Sequence, residues 1–323
     1  MKKILFVLVF LIVLVTVAYS FNPFKAPSEN NQTIVFTVLE DIPEISVIYD
    51  LESKGFVKSF WALDTALTIK NKHDKIQPGG YYLSKNMNAF QIADKITGPP
   101  DLIWITLTEG LRKEQIGERL QMLLGWSSQE LDNWNKVYTA MTFDDFEGVY
   151  FPDTYLIPVK ETGLQIAKRM ISHFNDVTKV QLEEFAKKDI LWTTGIKIAS
   201  LIQREAGGKD DMALISGIIW NRLEKKQALQ LDATVQYAKG KVGDQWWSVI
   251  TPSDIKSIDS LYNTYQYKGL PPHPIANPGL NAINAALNPE QTDCFYYLHD
   301  HSRQIHCAVT YEEHLKNIER YLN

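Results

Sequence analysis

At 323 residues and 37.0 kDa, with 45% hydrophobic and 22% charged residues, the chain has room for two domains and is not disordered throughout. A formal net charge of -5 with no basic block excludes nucleic acid as a natural partner. No phosphate-binding loop, dinucleotide fingerprint or Gly-x-Ser-x-Gly elbow is present, which removes the commonest nucleotide-dependent and serine-hydrolase classes.

Ile4 to Phe21 is an apolar run of 18 residues preceded by Lys2 and Lys3. Its length, and the lack of a small-x-small cleavage site after it, predict an uncleaved membrane anchor over residues 1–21. The two lysines put the tail in the cytoplasm and the rest of the chain outside it. Residues 22–32 are polar and Pro-containing and read as a linker. Thr33 to Val38 reads as a strand, and Asp41-x-x-Glu44 with Pro43 opens a helix to Ser53. A second helix covers about Lys58 to Lys70, a strand follows Pro78-Gly79-Gly80, and Asn88 to Thr97 is a helix stopped by Gly98-Pro99-Pro100. This is a small βααβ module over residues 33–100, and residues 101–323 form the second domain.

Leu102 to Leu107 starts a similar strand-turn-helix pattern, a weak internal repeat at an offset of 69 residues. A helix over Ser127 to Met141 precedes the turn-rich aromatic stretch 146–155. Helices are then expected over Gly163 to Asn175, Val177 to Lys187, Thr194 to Ala206 and Asp210 to Lys226. Leu229 to Tyr237 and Ser260 to Leu280 read as irregular, polar and aromatic segments of the kind that cover a site. A helix over Asn281 to Leu287, a hairpin of Cys294 to His299 with Gln304 to Val309, and a helix over Tyr311 to Leu322 complete an α+β chain. Cys294 and Cys307 fit a disulfide or two buried thiols equally well.

One carboxylate is out of place in this pattern. Ile198, Ala199, Ile202, Glu205 and Ala206 share one helical face, and Glu205 is its only charged member. Such a group is either paired, with Arg222 or Arg204, or desolvated and raised in pKa until it can hold a proton. Position alone leaves both open. Gly207-Gly208 would leave an approach to it free of side chains. Glu147 and Asp153 are either turn-forming loop acids or a second carboxylate for a glycosidase pair. Asn221 with Arg222, then Gln230, Asp232, Thr234 and Tyr237, then Tyr262, Asn263, Thr264 and Tyr265 mix aromatic faces with amides, hydroxyls and a carboxylate. Together they favour a carbohydrate cleft, although each alone serves loop packing as well. His299-x-His301 with His306 lacks the spacing of a zinc site, so neither a metal nor a cofactor is expected.

FEGVYFPDTY (146–155), ASLIQREAGG (199–208) with NRL (221–223), LQLDATVQY (229–237), YNTYQYKGLPPHPIANPGLNAINAALNP (262–289) and TYEEH (310–314) occur in that order. In these segments the chain resembles the YceG-like endolytic murein transglycosylases. The resemblance implies an N-terminal membrane helix, a LysM-like module over residues 33–100 and a catalytic domain over 101–323. It assigns the catalytic role to Glu205 and adds Tyr155 and Asn277 of the matched segments to the substrate-facing residues. The implied reaction cuts between N-acetylmuramic acid and N-acetylglucosamine of peptidoglycan strands and leaves 1,6-anhydro ends, terminating nascent strands. Glu205 would protonate the leaving oxygen and then take the proton of the muramic 6-hydroxyl. A single-pass protein of the cytoplasmic membrane, with its catalytic domain on the periplasmic side and working beside a peptidoglycan synthase, is the implied setting. Ala233 and Leu261 stand where the family usually has Pro, and His273 where it usually has Gly, all backbone-stiffening positions. Two further readings remain: a muramidase that hydrolyses with a second carboxylate, and a wall-binding scaffold without catalysis.

Overall fold

A computed structural model describes residues 22–139 and 147–322. The expected anchor at 1–21 lies outside them, as do Phe146 and the end of the expected 127–141 helix. Among the described residues no helix is long and apolar enough to cross a membrane. The fold mixes α and β and separates into two compact units, Met1–Ile105 with Tyr155–Lys160, and Thr106–Thr154 with Glu161–Asn323. The first unit thus runs past residue 100 and takes in a later segment.

In the first unit β1 (Thr33–Val38), α1 (Glu44–Ser53), α2 (Phe60–Lys70), β2 (Gly79–Ser84) and α3 (Ala89–Ile96) follow the βααβ order and add a helix. β1 and β2 pair antiparallel, with β3 (Leu102–Thr106) and β4 (Thr154–Pro158) extending the sheet in the order β1-β2-β3-β4. The helices form because apolar residues recur at helical spacing. Val47, Ile48 and Leu51 of α1 and Leu63, Ala66 and Leu67 of α2 close over Phe36, Tyr81 and Leu83 of the sheet. Ser59 caps α2, and Asn88 and Gln91 form a reciprocal capping box on α3. The expected cap at Asp41 is absent. Asp41 takes a left-handed φ of 60°, Pro43 precedes the helix, and Glu44 accepts hydrogen bonds from His73 Nδ1 and the Asp74 N–H, both at 2.7 Å.

The second unit is mostly helical: α4 (Lys113–Leu124), α5 (Ser128–Asn133), α6 (Gly163–Lys187), α7 (Trp192–Glu205), α8 (Met212–Glu224), α9 (Asp232–Lys239), α10 (Pro252–Ser257), α11 (Leu280–Leu287) and α12 (Tyr311–Tyr321). α5 continues into a π-helical turn, Trp134–Tyr138. α7 is the central post, packed on α6, α8, α9 and α11, and Ile196, Ile198, Ala199, Leu201 and Ile202 are buried on it. Gly195 lets α7 approach α6, because a Cβ there would overlap the Phe185 ring. The expected break near Asn175 does not occur. Phe174, Thr178 and Phe185 keep one buried stripe through it, and the Thr178 hydroxyl bonds back to the Phe174 carbonyl. α9 begins within the stretch 229–237, expected to be irregular. Its short buried set of Ala233, Thr234, Val235 and Tyr237 has no clear helical period to read. β5 (Tyr296–His299) and β6 (Ile305–Ala308) form the C-terminal hairpin, bridged by a Cys294–Cys307 disulfide.

Candidate active site

Glu205 is the last residue of α7, and the chain turns away immediately after it. The turn is held by Asp211, whose carboxylate accepts from the Gly207 N–H at 2.8 Å and the Gly208 N–H at 3.3 Å. His299 Nε2 lies 2.7 Å from the same carboxylate. Gly207 is tightly packed here: a Cβ would sit 3.1 Å from the His299 ring and 3.2 Å from the Arg303 carbonyl. Gly208 faces open space.

The Glu205 carboxyl is half-buried and accepts a 2.8 Å hydrogen bond from the Tyr297 hydroxyl. Burial pushes it above the usual carboxylate range. The Tyr297 bond pulls the other way, the Asp232 charge adds to the rise, and the Ala233 N–H and His299 oppose it more weakly. Its place at the negative end of α7 acts in the same direction as burial. The group is therefore a carboxylic acid biased toward holding its proton.

Arg222 does not neutralise it. Among the described residues no ion pair joins the two. Arg222 Nε donates to the Phe295 carbonyl and Nη1 to the Leu229 carbonyl, both at 2.5 Å, with the guanidinium over the Tyr296 ring. Arg222 is a buried tie between α8, the hairpin and the segment before α9. Arg204 also fails to pair with Glu205 and stacks instead on Trp247.

The residues expected to face a sugar divide into two groups. Asp232 and Gln230 are exposed and Tyr265 is half-buried. Tyr265 donates to Asp232 Oδ1 at 2.5 Å, and the Asp232 charge acts on Glu205. The others are committed inside the protein. Asn221 Nδ2 donates to the Thr292 and Cys294 carbonyls, and Asn263 Nδ2 to those of Ile255 and Ile258. The Thr234 and Thr264 hydroxyls lie 2.9 Å apart, and Thr264 accepts from the Leu231 N–H. Asn277 accepts from the Gly148 and Tyr150 N–H groups and donates to the Leu111 carbonyl and Glu147 Oε1. Tyr237 packs against Tyr262 with tilted rings 4.7 Å apart and lies under the Arg112 guanidinium at 4.0 Å. These residues place loops, because their polar atoms have partners within the protein.

The two other carboxylates are likewise occupied. Glu147 is buried and accepts from the Lys113 N–H at 2.9 Å, Asn277 Nδ2 at 2.8 Å and the Tyr237 hydroxyl at 3.4 Å. Asp153 lies 2.6 Å from His173 Nε2 and accepts from the Thr154 N–H. Tyr155 is buried on β4 and belongs to the first unit.

The YceG-like family model matches residues 37–320. This chain belongs to that family. It is 34% identical over 269 residues to an endolytic murein transglycosylase of Bacillus subtilis (strain 168), covering 76% of this chain and 73% of the relative. An endolytic murein transglycosylase of Streptococcus pneumoniae (strain ATCC BAA-255 / R6) is 25% identical over 340 residues, covering 94% of this chain and 61% of the relative. The crystal structure of a yceG-like protein from Listeria monocytogenes aligns with a TM-score of 0.57 at 26% identity, covering 88% of this chain and 99% of that one. Within the YceG-like framework, Ala233 is buried in the first turn of α9 and Leu261 is exposed. The sequence reading missed Tyr297, His299 and Asp211. Tyr297 and His299 alternate on one face of β5, a period-2 signal, but nothing local says that this face meets α7 from 92 residues away.

Proposed function

We propose that this protein is a lytic transglycosylase acting on peptidoglycan strands, with Glu205 as its acid and then its base. The observation that carries the reading is the half-buried Glu205 carboxyl, bound by Tyr297 and not ion-paired with either nearby arginine. Protonated Glu205 gives its proton to the glycosidic oxygen between N-acetylmuramic acid and N-acetylglucosamine. The C1–O bond breaks, and the carboxylate takes the proton of the muramic 6-hydroxyl as that oxygen closes on C1. One group acts twice, and no water is activated. Tyr297 steadies the carboxylate between the two transfers. Residues 1–21 anchor the chain in the cytoplasmic membrane, residues 33–100 form a LysM-like module, and the catalytic domain lies outside the cytoplasm. There it cuts nascent strands close to the synthase that makes them.

The test is a digest of purified glycan strands by the full chain in detergent, with the ends analysed by mass spectrometry. Anhydro ends are expected. Reducing ends, heavier by one water, would replace this mechanism with hydrolysis. Asp232 gives that second reading its footing, as an exposed carboxylate close enough to Glu205 to raise its pKa.

A pH profile probes the Tyr297 contact. The acid form of Glu205 is the active form, so activity falls as pH rises through its pKa. Tyr297→Phe removes a donor that favours the carboxylate, so the alkaline limb of kcat/KM is expected to move to higher pH. An unmoved limb, or one moved down, would separate Tyr297 from the titration of Glu205.

A further inference from the structure

Arg204 precedes Glu205 on α7, and its guanidinium lies 3.9 Å above the Trp247 ring. The indole is fixed, because Trp247 Nε1 donates to Gln115 Oε1 at 3.0 Å. Gly110 leaves room beside it, since a Cβ there would lie 3.3 Å from Arg204 Nη1. A second arginine meets the same aromatic cluster: Arg112 lies over Tyr237 and, at 4.7 Å, over Trp246. The two guanidinium groups differ in one respect. Arg112 is ion-paired, donating to Glu114 Oε2 and to the Tyr237 carbonyl, both at 3.1 Å. Arg204 Nε is buried with no hydrogen-bond partner, and among the described residues no carboxylate lies within ion-pair distance of Arg204.

A half-buried arginine whose Nε has no partner, and which is held in one orientation without an ion pair, gains from a ligand that completes it. Burial already pushes its pKa below the usual arginine value. A planar fork pinned by stacking is the geometry that binds a carboxylate with two parallel hydrogen bonds. The sugar assigned to Glu205, muramic acid, differs from its neighbour by a lactyl arm. That arm ends in a carboxylate when free, or carries a peptide with carboxylates of its own.

We propose that Arg204, seated on Trp247, is the specificity-determining group that binds a carboxylate of the muramic lactyl arm, either the free lactyl carboxylate or one on its peptide. The inference rests on the reading of Glu205 given above. The two are separable, because binding is measured without turnover.

The probes are end-labelled glycan strands in three forms: peptide-bearing, stripped to free lactyl carboxylates, and stripped with the lactyl group capped as its methylamide. Fluorescence anisotropy with the full-length Glu205→Gln chain reads Kd for each. Adding Arg204→Gln is expected to weaken binding of a carboxylate-bearing strand by about 10-fold or more and to leave the capped strand unchanged. The strand form that loses affinity identifies the source of the carboxylate. Arg204→Lys keeps the charge but not the fork, and is expected to fall between the two. It also guards against a misfolded Gln variant, whose thermal melt is recorded alongside. In the Glu205-intact chain, Arg204→Gln should raise KM on the same strands and leave kcat largely unchanged. Equal losses on capped and uncapped strands, or no loss on any, would overturn the proposal. Failure of the Glu205-intact chain to cut any strand would overturn the function reading, while the binding series still reports on Arg204. Failure of the parent chain to bind any strand would overturn both.

Discussion

Glu205→Gln is expected to lower turnover on glycan strands by about 10² to 10⁴-fold with the fold intact. The substitution keeps the size of the side chain, and the amide oxygen can still accept from the Tyr297 hydroxyl, which now lies 2.8 Å from the carboxylate. An amide can neither release a proton to a leaving oxygen nor recover one from a hydroxyl, so both transfers fail. Stability should change by no more than about 1 kcal/mol, because removing a raised carboxyl also removes the cost of burying its charge. Counting anhydro ends against time, with a thermal melt of the same sample, separates the two effects. Activity within a few-fold of the parent would leave the wall-binding scaffold as the better reading. Loss of activity together with collapse of the melt would point to a structural role for Glu205.

The hairpin around Glu205 was legible because helical periodicity is a local property. Expected helices over Thr194–Ala206 and Asp210–Lys226 became Trp192–Glu205 and Met212–Glu224. The βααβ order and the C-terminal hairpin were read for the same reason, as was the anomaly of one carboxylate on an apolar stripe. The destinations of polar side chains were less legible. Asn263, Thr264 and Asn277 have the chemistry of sugar ligands, and the same amides and hydroxyls suit the backbone carbonyls and N–H groups of irregular loops. Which demand wins depends on tertiary neighbours far away in the chain. Arg222 illustrates the point: it donates to two backbone carbonyls, one of them 73 residues away. The competition for Glu205 between two arginines was therefore decided by geometry that no spacing rule contains.

Glu147→Gln is expected to change the pH dependence of stability. Burial, with the nearby Glu114 charge, holds the Glu147 carboxyl at about 8 against an ordinary 4.5. The folded state thus binds this proton more tightly than the unfolded state does. The resulting stabilisation is fully present below about pH 4.5, declines as pH rises toward 8, and is gone above that. Its size is on the order of a few kcal/mol. Gln mimics the protonated form: its oxygen can keep the bonds from the Lys113 N–H and Asn277, and its NH₂ can donate to Tyr237. Melts of the two proteins from pH 5 to 9 should therefore diverge, the variant gaining roughly 5–10 °C relative to the parent by the alkaline end. A constant difference across the range would mean that Glu147 does not carry the proton. Glu147 ties Asn277, and through it the Gly148 and Tyr150 backbone, to Tyr237 of α9, the helix whose first turn faces Glu205. Raising the pH removes a proton from each carboxyl, one that supports the loops and one that does the chemistry. In the Glu147→Gln chain only the second effect remains, so its kcat/KM limb reports the titration of Glu205 free of any loosening of the loops around it.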